Sequence, residues 1–173
     1  MKVKDFICRL YQEDFSLWKE KKEKDSISKE NETIDKKCEY INLDTVDDEC
    51  ELNEYEFLNY LWHQSLIDEY DFSHPEENLL RKNAARLIHI YMRDKMHQKD
   101  ERDISKALNL RDIYDCRVCM NHIAQVYTKG IIEAIEIPGI SSKENEKFRI
   151  FAGSYEAEDE DIEKWMDAVN SNR

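Results

Sequence analysis

The sequence predicts a mainly α fold with one small β-hairpin, and three observations carry that prediction. Apolar residues return at helical spacing along most of the chain, from Val3 to Val169. The two-residue period is confined to Ile135 and Ile137 set against Glu136, near a second short apolar run, KFRIFA (147–152). Between these runs lie the turn signals Pro138-Gly139 and the polar stretch ISSKENE.

The elements follow in chain order. Val3, Phe6, Ile7, Leu10, Phe15, Leu17 and Trp18 predict an amphipathic helix over residues 3–18. The next stretch, 18–37, has almost no apolar side chain and reads as a solvated helix extension or a linker. CEYINLD (38–44) reads as a short strand, and acid-rich TVDDECELNE as a loop. A second amphipathic helix is expected over about 53–69, with Tyr55, Leu58, Trp62, Leu66 and Tyr70 on one stripe. So broad an apolar face needs a cover, from the first helix, the centre of the chain or another chain. Ser73 and Glu76 have capping-box spacing, with Pro75 between them, and predict a helix from there to about Met96. Residues 97–101 then turn. ISKALNL (104–110) predicts a short helix, and RDIYDCRVCMNHIAQVYTKG (111–130) a longer one closed by Gly130. The tail places Ile162, Trp165, Met166 and Val169 on one helical face behind an acidic first turn.

Helix, short helix, long helix and hairpin in this order resemble the winged helix-turn-helix superfamily. ISKALNL and HIAQVYTKGII carry the resemblance, which covers about residues 79–152. It implies three regions: an acidic helical N-terminal region over 1–72 with a solvated segment at about 19–52, a winged-helix domain over 73–155, and an acidic C-terminal helix over 156–173. In DNA-reading relatives the third helix enters the major groove and the wing touches backbone. By position this implies Arg111, Tyr114, Arg117, Asn121 and Gln125 on the helix and Lys143, Lys147 and Arg149 on the wing as DNA-contact candidates. Asp112 and Asp115 near the start of the same helix oppose phosphate. The fold serves DNA readers and protein-docking modules alike.

Charge divides the chain in the same way. The formal net charge is −13, yet residues 79–150 hold 14 Lys+Arg against 10 Asp+Glu, between two acidic flanks. Only three glycines occur, none near another, so no phosphate-cradling loop exists and the usual nucleotide-binding folds are excluded. No apolar run reaches the ~20 residues of a membrane helix, and the N-terminal stretch has acids inside it, unlike a signal peptide. Five cysteines without dense spacing are expected as reduced thiols of a cytoplasmic protein.

Chemical constellations are sparse. Cys116-x-x-Cys119 with His122 has helical metal-ligand spacing, but structural zinc takes four ligands and no second CxxC exists; Cys38 and Cys50 would have to converge. The two cysteines read instead as small hydrophobes on the core stripe. A redox role asks for a helix N-terminus after a strand, a setting the predicted long helix does not give them. Asp44, Asp47, Asp48, Glu49, Glu51 and Glu54 lack the central glycine of a calcium loop and read as a solvated acidic stretch. His63, His74, His89, His97 and His122 show no HExxH, and no serine sits in a nucleophile elbow. Neither a catalytic set, nor a metal, nor a cofactor is expected.

Two functions remain. One is a non-catalytic accessory or bridging subunit with protein partners, docking through Trp18, Trp62, Trp165 and Met166. Winged-helix subunits of chromosome-organising or defence ATPase complexes look similar at this coarse level. The other is a DNA-binding regulator acting as a homodimer on duplex DNA. For the C-terminal helix, folding back on its own domain competes with partner docking.

Overall fold

A computed structural model describes residues 1–28, 49–137 and 149–172. The expected strand 38–44, the solvated segment from residue 29 to 48, and the hairpin turn with Lys143 and Lys147 lie outside the described residues. The chain is mainly helical and divides into two compact units, Lys2–Glu77 and Asn78–Arg173, with Met1 joining the latter. The C-terminal helix lies in the same compact unit as the centre of the chain. No helix among the described residues is long and apolar enough to cross a membrane.

The first unit contains α1 (Val3–Leu10), α2 (Gln12–Ser28), α3 (Glu49–His63) and α4 (Glu69–Ser73). The single helix expected over 3–18 is broken at Tyr11, whose ring is fully buried. The second expected helix ends at His63, before the 69 that its stripe suggested. No side chain caps α1. Its first amides donate instead to main-chain carbonyls, Val3 N to Glu77 O and Lys4 N to Pro75 O, both at 3.0 Å. Phe6, Ile7, Leu10, Phe57, Leu58 and Leu61 form the core. Lys4 is buried beside them and pairs with Glu54 at 3.3 Å and Glu76 at 3.1 Å. Burial alone would depress its ammonium, but the hydrogen bonds and charges of those two carboxylates outweigh it and raise the pKa. Ser73 does not begin a helix, because its hydroxyl donates to Glu69 O at 2.7 Å and it closes α4. The capping box sits five residues earlier, where the Asp68 and Asp71 side chains each accept the other's amide.

The second unit contains α5 (Arg81–Ile90), α6 (Ser105–Leu108), α7 (Met120–Thr128) and α8 (Asp159–Ser171). Helix α5 begins seven residues later than a cap at Ser73 suggests, with Leu80 at its N-cap. Its first amides are taken by Tyr155 O at 2.9 Å and Gly153 O at 3.0 Å, distant carbonyls that no local signal announces. It widens into a π-turn over Tyr91–Lys95, with Met96 N donating to Tyr91 O. Helix α7 packs on α5 and α6. It ends in a Schellman motif: Gly130 N donates to Tyr127 O at 3.0 Å and Ile131 N to Val126 O at 2.9 Å, with Gly130 at φ +70°. The helix expected over 111–130 is thus only its second half, and residues 111–119 form turns. Where the hairpin strands were expected, Ile135 pairs with Ile150 in an isolated antiparallel bridge, and Leu80 pairs likewise with Glu156.

Gly130 has open space around its α-carbon, so a side chain there meets only the backbone cost of the left-handed conformation. Gly130→Ala is expected to destabilise the protein by about 1 kcal/mol, read as a lower urea midpoint at unchanged slope. An unchanged midpoint would show that the Schellman turn does not hold the end of α7.

Candidate interaction surface

Four of the residues named by sequence as contact candidates, Arg111, Tyr114, Arg117 and Asn121, lie on the stretch from α6 to the start of α7. Two anchors shape it. Ile113 is fully buried in the core of the second unit. Beside it, the Asp112 carboxylate accepts the amides of Phe151 and Ala152, one on each oxygen, both at 2.7 Å. Arg111 N donates to Arg149 O at 3.0 Å, which fixes the same join from its other side. With its inner residues held this way, the stretch presents Arg111, Tyr114, Arg117 and Asn121 to solvent. Tyr114 is 63% exposed and Val118 80% exposed, and Leu108 is also exposed.

Not every candidate shares this surface. Gln125 is buried, and its amide closes on the Glu101 main chain, accepting from Glu101 N at 2.7 Å and donating to Glu101 O at 3.1 Å. It is a core residue, with no edge free for a base. Arg149 is half-buried and lies 3.7 Å from Glu136. Its Nε is enclosed without a hydrogen-bond acceptor. Together with Lys106, Asn109, Leu110 and Tyr127 it lines a cleft of about 200 Å³.

Of the docking candidates, Trp165 (3% exposed) and Met166 are core of the second unit, so the C-terminal helix folds back on its own unit and does not offer them to a partner. Arg81 reaches within 5.3 Å of the Trp165 ring centroid. In the first unit, half-buried Trp18 packs against Phe57 with centroids 5.7 Å apart, under Lys22. Trp62, also half-buried, stacks on Phe72 at 5.0 Å. Both tryptophans are largely spent on intramolecular packing.

Cys116 and Cys119 are not core hydrophobes on a helical stripe. Both are half-buried in the turn before α7 and are joined by a disulfide, which also corrects the expectation of reduced thiols for this pair. No group of three or more His, Cys, Asp or Glu side chains suited to a metal ion occurs among the described residues.

The sequence did not foretell a polar chain between α5 and α7. Buried His89 Nε2 lies 2.9 Å from Asp100 Oδ1, and its Nδ1 lies 2.9 Å from His122 Nδ1. With Asp100 ionised, His89 donates to it through Nε2 and accepts from His122 through Nδ1. Burial, then the His89 charge, then Arg86 and Arg93 push the His122 pKa down to about 4. The separation of 33 residues between the rings is why no motif revealed them.

A folded pKa below the unfolded value means that the unfolded chain binds more protons. Stability is therefore expected to fall as pH drops from about 6.5 towards about 4. Urea unfolding across that window should show a shallower dependence in His122→Gln, whose amide still donates to His89 without titrating. Equal slopes in both proteins would show that the ring pair does not set the acid response.

No family model, curated protein or solved structure matches this chain.

Proposed function

We propose that this chain is a non-catalytic accessory subunit whose second unit, a variant of the winged helix-turn-helix, docks on a protein partner through the stretch from Leu108 to Asn121. The succession α5, α6, α7 and the antiparallel pairing of Ile135 with Ile150 support the winged-helix reading. The observation that carries the docking reading is the exposure of Tyr114 and Val118, apolar side chains flanked by Arg111, Arg117 and Asn121. An apolar centre with Arg and Tyr around it is the composition of a protein interface. A net charge of −13 adds a general penalty to approach by free nucleic acid. Assemblies built on chromosome-organising or defence ATPases are settings in which such a subunit would serve.

A second reading, a dimeric DNA-binding regulator, is favoured by one specific observation. The Asp112 carboxylate is turned to the Phe151 and Ala152 amides, so one of the two acids near the start of the stretch is committed to backbone. Base readout would fall to Arg117 and Asn121, without Gln125.

A photo-crosslinking residue at position 118, expressed in the source cells, is expected to capture one discrete protein, while the same residue at exposed position 163 captures none. Fluorescence anisotropy with a mixed-sequence duplex at low and near-physiological salt forms the other arm. Tight duplex binding that weakens steeply with salt and is lost in Arg117→Glu, with no discrete crosslink at 118, would overturn the docking reading in favour of the regulator.

A further inference from the structure

We propose that Cys116 and Cys119 form a reversible dithiol–disulfide couple that exchanges with small-molecule disulfides of the glutathione class. The inference stands apart from the docking reading and draws on four observations. The two sulfurs are bonded across a sequence separation of three. Both cysteines are half-buried, so a small reagent reaches them, whereas Cys8 lies sealed in the other unit with burial pushing its thiol up to about 12. The pair immediately precedes Met120, the first residue of the nine-residue helix α7. Finally, Cys119 N donates to Cys116 Sγ at 3.3 Å.

Each observation bears on the chemistry. A thiolate is the nucleophile in thiol–disulfide exchange, and a helix N-terminus together with a donated amide stabilises negative sulfur. Cys116, which receives that amide, is the attacking residue, and Cys119 resolves. A structural staple is the competing explanation. However, the stabilisation a disulfide gives by constraining the unfolded chain grows with loop length, and a loop enclosing only Arg117 and Val118 gains little. Helix α7 is already held by its packing on α5 and α6. The bridge is placed for chemistry more than for cross-linking.

The exchange balances as follows. The Cys116 thiolate attacks one sulfur of R–S–S–R, forming a Cys116–S–S–R bond and releasing R–S⁻. The Cys119 thiolate then attacks Cys116 Sγ, forming the Cys116–Cys119 bond and releasing the second R–S⁻. Two cysteine thiols are oxidised, one disulfide is reduced to two thiols, and the two cysteine protons end on the released thiolates.

The test uses the full native chain equilibrated over a series of oxidised-to-reduced glutathione ratios. Each sample is pulsed with an alkylating reagent and read by peptide mass spectrometry. The peptide containing both cysteines is expected to lose two hydrogens and both alkylation sites at the oxidised end, and to regain both sites in excess reduced glutathione. Cys8 should stay unalkylated throughout. Cys119→Ser should accumulate glutathione on Cys116. Three results would overturn the proposal: two alkylatable thiols at every ratio, a bridge that persists in excess reduced glutathione, or no glutathione on Cys116 in Cys119→Ser. The wild-type titration decides reversibility even if that variant folds poorly.

Discussion

The second unit depends on how two opposite charges, buried Arg81 and half-buried Asp112, hold one peptide. The Asp112 carboxylate accepts the amide of Phe151, and the Arg81 guanidinium donates through Nε to the carbonyl of the same residue at 2.9 Å. Asp112 extends its grip to the amide of Ala152, which is held at φ +58°, and Arg81 extends its own to Glu133 O at 2.6 Å and to Asp161 at 3.3 Å. The guanidinium also lies 5.3 Å from both the Phe151 and Trp165 ring centroids. Burial lowers the Arg81 pKa, and the charges of Asp161, Asp112 and Glu158 oppose that shift. A buried charge is tolerable only when its hydrogen-bonding capacity is met. Here the two ions meet it on backbone, and so draw the returning chain, α5, the α6–α7 connection and α8 onto one point.

The surface proposed to dock follows from that clasp. The Asp112 carboxylate and the Arg111 amide are both committed to the returning chain, and residues 111–119 form turns before α7 starts at Met120. The same commitment removes one of the two acids that would face a partner and turns Tyr114 outward. The disulfide then shapes the last turn before α7, with Arg117 and Val118 at its tip. The long-range pairing, 39 residues apart in sequence, thus lies within the same stretch that carries the exposed side chains and the disulfide.

Periodicity made the helices legible where one apolar face meets one core. Val3, Phe6, Ile7 and Leu10 marked α1, and Ile162, Trp165, Met166 and Val169 marked α8, all of them buried. Gly130 marked the end of α7 through its backbone freedom alone. The start of α7 was not legible, because Ile113 is buried whether or not residues 111–119 are helical, so the apolar period continues through a segment of turns. Ser73 misled for a related reason. The amides at the start of α5 are satisfied by Gly153 and Tyr155 carbonyls, which no local capping pattern encodes. Of the surface, Arg111, Tyr114, Arg117 and Asn121 were legible by position. Gln125 was not, because its buried amide serves the Glu101 main chain. The pairing of His89 with His122 was equally hidden, since it exists only once α5 and α7 pack.

Hydrogen–deuterium exchange of the wild type and Asp112→Asn, resolved to single amides, tests the clasp most directly. Asparagine keeps one acceptor oxygen and sets a donor against the other amide, so the variant loses one of two charge-assisted bonds worth about 1.5–3 kcal/mol each and weakens the second. If the clasp orders the surface, the Phe151 and Ala152 amides are protected in the wild type and exchange much faster in the variant. Residues 110–121 should loosen with them, while α1 and α3 in the other unit keep their rates. Faster exchange confined to Phe151 and Ala152, with the α6–α7 connection unchanged, would contradict the account.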